Sequence, residues 1–241
     1  MSMNGLAQAN VAQLRQNPYP GRGIVTGMSP DGRRMVQVYW LMGRSENSRN
    51  RVLVEEPEGI RTQAFDPAKL VDPSLIIYWP ARRLGQLFFV TNGDQTDTLH
   101  TLMAAGTSFE DALMTREFEP DAPNFTPRIS GMCDAADEKG GYRLSVLKAM
   151  NGDPSRCVRC FYRYDAATPG FGHLIHTYGG DGNPLPSFVG DPHLVPVQAS
   201  AREAADFYWP LLNVENRVAL FARTIDRETG AVDTVIVNRH A

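Results

Sequence analysis

A chain of 241 residues, 42% hydrophobic and 21% charged, holds enough apolar material for one large domain or two small ones. It is not a disordered chain, whose hydrophobicity would be low and net charge high. A formal charge of -3 and a pI near 6.0 exclude a protein that neutralises many phosphates along a nucleic-acid groove. A single phosphate needs only a local cluster of cations. No apolar run approaches a membrane span, and Met1 to Gln16 is polar without a signal-peptide core, so a cytoplasmic protein is expected.

Residues 1–16 are rich in Asn, Gln and Ala with no strong helix cap, and are expected as a loosely held extension. Asn17-Pro-Tyr-Pro-Gly21 opens the ordered part, taken as a single domain over 17–241. Ile24 to Met28 and Met35 to Met42 read as strands joined by a turn at Ser29-Pro-Asp-Gly32. Both faces of the second run are apolar, as in a strand covered on both sides. Val52–Val54, Leu75–Trp79 and Leu87–Val90 read as further strands. From Gln95, the apolar residues Leu99, Leu102 and Met103 recur at helical spacing. Thr107-Ser-Phe-Glu110 resembles a capping box opening a helix that ends near Phe118. Strands are expected at Arg128–Cys133, Tyr142–Met150, Arg156–Tyr164 and His173–Tyr178. Ser200-Ala-Arg-Glu203 is a clear capping box, and Val218–Ile225 with Val232–Val237 closes the chain as a hairpin. Clustered strands with grouped helices give an α+β class, with helices on the outer faces of stacked sheets.

The densest chemical signal is Gly43-Arg-Ser-Glu-Asn-Ser-Arg-Asn-Arg51, which places Arg44, Arg49 and Arg51 among small hydrogen-bonding residues directly after a strand. Guanidinium forks match phosphate oxygens, so this loop reads as an anion site or as a solvated basic loop. Asn92-Gly-Asp-Gln-Thr-Asp97 sits where a strand meets a helix start. Gly93 there allows close approach of a ligand, and Asp94 suits a cap, a substrate contact or a base. Asp97 complements the helix dipole. Glu119-Pro-Asp-Ala-Pro-Asn-Phe-Thr-Pro-Arg-Ile129 is a proline-stiffened loop presenting carboxylates, Asn124, Thr126 and Arg128. It is either a site or a stiff connection. Tyr78 ends an apolar run and is either a strand-end hydroxyl facing a pocket or a core tyrosine with a wet tip.

Cys157 and Cys160 lie on a strand where residues three apart face opposite ways, as do His173 and His176, so neither pair chelates well and no metal site is assigned. Three cysteines make no disulfide framework. Nucleophile elbow, Walker loop, dinucleotide fingerprint and HExxH motifs do not occur.

Five segments together carry a resemblance. Asn17 to Gly23, Val38 to Arg51, Val90 to Asp97, Glu119 to Ile129 and Gly172 to Pro186 resemble the inosine monophosphate (IMP) cyclohydrolase family, archaeal-type and its bacterial relatives. The resemblance implies a four-layer αββα sandwich like that of N-terminal nucleophile hydrolases. It implies closure of the purine ring of 5-formamidoimidazole-4-carboxamide ribotide to IMP and water, with no metal or other cofactor. The chain departs from hydrolases of that fold in starting with a polar extension rather than a nucleophile. On this reading Arg44, Ser45, Arg49, Asn50 and Arg51 bind the phosphate. Asn92, Gly93, Asn124, Thr126 and Arg128 orient the base or steady an oxyanion. Glu119, Asp94 and Tyr78 are the candidates for proton transfer. The expected partner is a purine ribotide, with no nucleic acid or membrane, and a homo-oligomer stays open. The alternatives are a non-catalytic ribotide sensor or an amidohydrolase on the same fold.

Overall fold

The computed structural model describes residues 1–240. The elements run α1 (Met3–Gln16), β1 (Gly23–Met28), β2 (Arg34–Met42), α2 (Glu46–Arg49), β3 (Arg51–Glu56), β4 (Gly59–Ala64), β5 (Ala81–Leu84), β6 (Leu87–Thr91), α3 (Gln95–Ala104) and α4 (Phe109–Met114). There follow β7 (Arg128–Asp134), β8 (Tyr142–Met150), β9 (Asp153–Tyr164), β10 (Phe171–His176), β11 (His193–Pro196), α5 (Ala201–Tyr208), β12 (Arg217–Asp226) and β13 (Val232–Asn238). They build two antiparallel sheets with few helices. A six-stranded sheet has the order β11-β10-β1-β2-β12-β13, and a seven-stranded sheet has the order β3-β4-β5-β6-β7-β8-β9.

Alternation along the strands divides the apolar residues among three cores. Met35, Tyr39 and Leu41 of β2 meet Phe88 and Val90 of β6 and Leu144 and Val146 of β8 between the sheets. The opposite side of β2, Val36, Val38, Trp40 and Met42, packs on Val11 and Leu14 of α1 and on Ala204, Ala205 and Tyr208 of α5. That both faces of β2 are apolar follows from its being covered twice. On the far side of the second sheet, Phe89 and Met132 meet Leu99 of α3 and Phe109, Ala112 and Leu113 of α4. A polar cluster crosses the central core. Arg223 of β12 donates to Oε1 of Gln37 on β2 and to the carbonyl of Phe89 on β6, while Gln37 donates to the carbonyl of Phe88.

Helix ends follow the cap chemistry. Ser200 and Glu203 form a reciprocal capping box on α5. In α4 the cap is Ser108, which accepts from the Asp111 amide, and the helix stops at Met114 rather than near Phe118. No helix among the described residues is long and apolar enough to cross a membrane.

Three sequence expectations need correction. Residues 3–16, read as a loose extension, form α1: Ser2 caps it, Ala7, Val11 and Leu14 are buried, and the Asn10 amide donates to the Leu194 carbonyl. Leu75–Trp79 is not a strand but a turn, with the amides of Ile76 and Ile77 both donating to the Pro73 carbonyl. Strands β4, β5 and β11, unforeseen, complete the sheets.

Candidate active site

Antiparallel pairing brings the start of β1 and the ends of β2 and β10 to one end of the first sheet, with Gly23 opposite both Trp40 and His176. The loops leaving that end enclose a cleft of about 340 Å³. Tyr19 and Arg22 come from the segment before β1, and Arg44, Ser45, Asn47 and Ser48 from the loop after β2. The loop before β7 supplies Glu119, Asp121 and Asn124, and the segment after β10 supplies Tyr178 and Leu185.

Glu119 is the chemical centre. It is 1% exposed, and its carboxylate lies 3.8 Å from the guanidinium of Arg22, itself buried. Burial pushes the Glu119 carboxyl up to about 7, against the pull of Arg22 and Arg128. Burial alone would lower the pKa of Arg22, but Glu119 and the neighbouring tyrosines hold it above the ordinary value, so Arg22 stays charged. The result is a carboxyl able to gain or lose a proton near neutrality beside a fixed cation.

The surroundings hold this pair still. Thr126 returns its carbonyl to the Glu119 amide, and its hydroxyl joins the Asp121 carboxylate to the Tyr178 phenol. Tyr178 stacks on Tyr19 with ring centroids 5.8 Å apart, giving the cleft an aromatic side. Arg44 lies over Tyr19 at 5.1 Å and donates to the Asp181 carboxylate at 2.5 Å and to the Gly182 carbonyl at 2.9 Å. Behind Glu119, a Cβ on Gly93 would come within 2.6 Å of the Arg128 guanidinium, 2.8 Å of Gln95 Oε1 and 3.3 Å of Glu119 Oε1, so only glycine fits there.

The residues singled out in the sequence fall into distinct places. Glu119, Arg44, Ser45 and Asn124 line the cleft, and Thr126 lies under it. Ser45 also caps α2, and Asn124 accepts from the Leu185 amide. Arg128 does not line the cleft: it is buried behind Glu119, bonded to Gln95 at 2.8 Å and Asp94 at 2.6 Å. Asp94 makes no side-chain cap bond. Partial burial would raise its pKa, but Arg128 and Arg116 outweigh that and keep it ionised. Asp97 pairs with Arg82 at 2.8 Å.

Several expected ligands are structural instead. Asn92 is wholly internal, donating to the Pro127 carbonyl and accepting from the Ile129 amide. Gly93 is packed against side chains rather than opening to a ligand. Arg49 turns back to the Gly43 carbonyl and Asn216, and Asn50 bonds both ways with the backbone of Asp66. Arg51 is fully buried under its own loop, donating to the carbonyls of Ser48 and Met42. Of three arginines in the loop, one faces the cleft. Tyr78 is a core tyrosine whose hydroxyl meets that of Tyr39 at 2.7 Å.

Arg22, Tyr19, Asp121 and Tyr178 went unassigned in the sequence. Arg22 stands alone between two glycines, and its partner lies far along the chain. The segment was marked only as the start of the ordered part and as one of the five resembling stretches, with no role given to its side chains. Among the other candidates, Cys157 and Cys160 are free thiols on β9. Nδ1 of His173 shares a hydrogen bond with the Tyr142 hydroxyl, and His176 binds the Tyr178 carbonyl.

The family described as IMP cyclohydrolase-like protein matches residues 19–230. An IMP cyclohydrolase of Methanopyrus kandleri is 31% identical over 120 residues, which is 48% of this chain. The matched part covers 59% of that relative, less than two thirds of its length. With a family match that begins at the cleft residue Tyr19 and runs through both sheets, the chain belongs to the IMP cyclohydrolase-like family.

Proposed function

We propose that the cleft closes the purine ring of 5-formamidoimidazole-4-carboxamide ribotide, giving IMP and water. The observation that carries this reading is Glu119, a buried carboxyl with its pKa near 7, set beside Arg22 in a cleft that also presents Arg44 and two stacked tyrosines. Family membership supports it.

Ring closure forms a bond between the carboxamide nitrogen and the formyl carbon, and the resulting carbinolamine then loses its hydroxyl as water. Glu119, ionised, takes the proton from the attacking nitrogen. Protonated, it passes that proton to the former formyl oxygen and completes the carbinolamine; in the second half it takes the N–H proton of the former formamide nitrogen and delivers it to the hydroxyl, which leaves as water as the ring C=N bond forms. Arg22 stabilises the formyl oxygen as it gains charge. Tyr19 and Tyr178 offer the flat base one aromatic side, and Arg44, with the Ser45 and Ser48 hydroxyls, takes the phosphate in place of Asp181. Because the two reacting groups already sit on one molecule, the site need only hold the carboxamide and formyl groups in near-attack geometry, with the remaining help coming from proton transfer and charge stabilisation.

The same proposal extends to the architecture. Helices α1 and α5 on one outer face and α3 and α4 on the other support a four-layer αββα sandwich of the N-terminal nucleophile hydrolase kind. Residues 17–241 are taken as one domain with α1 docked on it.

Purified protein incubated with the formamido ribotide, without folate or added metal, is expected to form IMP, followed by absorbance and chromatography. Binding without turnover would favour a ribotide sensor. Neither binding nor turnover would overturn the substrate assignment.

A further inference from the structure

A second cavity lies on the other side of the segment that carries Tyr178. It measures about 510 Å³, within the ~300–1,000 Å³ range of small-molecule sites, and lies between the last turn of α1, the ends of β10 and β11, and residues 186–189. Among the described residues, no charged side chain lines it. Its walls are the rings of His176, Phe188 and His193, with centroids 4.7 to 5.7 Å apart, and the amides of Gln13 and Gln16 stand at its rim.

His176 gives the cavity a defined polarity. It is 5% exposed, and its Nδ1 lies 2.9 Å from the Tyr178 carbonyl. A carbonyl only accepts, so Nδ1 carries the proton and Nε2 of the neutral ring is a lone pair. Burial, with His193 adding to it, holds the ring neutral by lowering its pKa to about 3. Among the described residues, Nε2 has no hydrogen-bond partner. It is not sealed among the buried polar atoms but opens onto solvent in the cavity, where the N–H of a ligand can replace that solvent on the lone pair.

From the cavity, its uncharged ring-lined walls and the lone-pair nitrogen of His176, we infer a second ligand site for a neutral, planar heteroaromatic molecule bearing an N–H donor, the chemistry of a free nucleobase. Charged phosphates find no counter-ion there. The site is wired to the cleft through two residues. His176 and the amide of Asn17 both bond the Tyr178 carbonyl, and Asn17 Oδ1 accepts from the Tyr19 amide. A ligand on His176 and Asn17 therefore touches the anchors of both tyrosines that face the cleft.

Hypoxanthine, adenine and imidazole-4-carboxamide are the probes, titrated by calorimetry and by NMR of the His176 ring. Val189→Trp and Gln13→Trp fill the cavity from exposed positions, and Asp72→Trp narrows the cleft, whose rim the exposed Asp72 also lines. Saturable binding that shifts the His176 resonances is expected, weakened about tenfold or more by either cavity variant, as loss of one hydrogen bond or its equivalent requires, and unchanged by Asp72→Trp. Absence of saturable binding, binding indifferent to the cavity variants, or binding lost in Asp72→Trp would overturn the inference. This readout does not depend on turnover, so it stands or falls separately from the substrate proposed for the cleft.

Discussion

Glu119 and Arg22 show how a side chain acquires reactivity from its surroundings. An exposed glutamate would be fully ionised at neutral pH and a weak base; here burial against a charged partner keeps it near half-protonation. Glu119→Gln, nearly isosteric, is expected to lower kcat by roughly 10²–10⁴ with KM little changed, and to remove the limb of the rate profile near pH 7. Steady-state kinetics across pH would show it; a near-normal kcat would move proton transfer to another group. Arg44→Lys is expected to raise KM about tenfold, because a point charge cannot reproduce the fork, whereas Arg49→Lys should leave KM alone. A KM indifferent to Arg44 would remove it from the phosphate site. At this scale the sequence was legible in kind but not in direction. The arginine loop was visible as a cluster, but spacing does not say which guanidinium turns outward. Arg49 and Arg51 find carbonyls of their own loop and neighbouring strand, a use of arginine that leaves no mark in the sequence. The burial that tunes Glu119 likewise comes from residues remote in the chain.

Among the elements, α1 has consequences beyond its length. Its sequence lacks the marked apolar periodicity of α5, yet Val11 and Leu14 complete the core on the outer face of the first sheet, and its last turn forms one wall of the second cavity. Leu14→Ala is expected to cost about 2–5 kcal/mol in chemical denaturation, the usual range for emptying a buried leucine site. A loss below 0.5 kcal/mol would mean that α1 is frayed in solution, about the scatter of surface substitutions. Long strands were legible because β-branched and aromatic runs bounded by Gly and Pro have few other readings, as in β2, β8 and β12. Short ones were not. In β4 only Ile60 and Thr62 point inward, and β11 is four residues at an edge. Leu75–Trp79 shows the converse error: an apolar run between Pro73 and Pro80 buries Ile76 and Tyr78 from a turn.

For the whole molecule, the site draws on folding stability. The Glu119 carboxyl, ordinarily at 4.5, titrates at about 7 in the folded chain, so the native state binds its proton more tightly than the unfolded state. Its contribution is complete below the unfolded value and is lost as pH rises through 7, a change of about 3 kcal/mol. Urea melts of wild type and Glu119→Gln at about pH 5 and about pH 8 should therefore differ between the two proteins by that order, with the variant gaining relative stability at the higher pH. Equal pH dependence of the two would show that Glu119 is not buried as described. Stacked sheets and the hairpins β1–β2 and β12–β13 were legible from clustered runs and the turns between them, whereas the assignment of the remaining strands to one sheet or the other emerges only when distant strands meet. The cleft is lined by loops that leave both sheets, so its shape depends on how the two sheets are registered on one another, a register that interdigitated side chains already resist. Gln37 and Arg223 work there as a dowel: hydrogen bonds to the carbonyls of Phe88 and Phe89 tolerate tenths of an ångström where oily contact would tolerate more. The sheets whose loops form the cleft are thus pinned together in the middle of the protein, by two polar side chains outside the cleft lining.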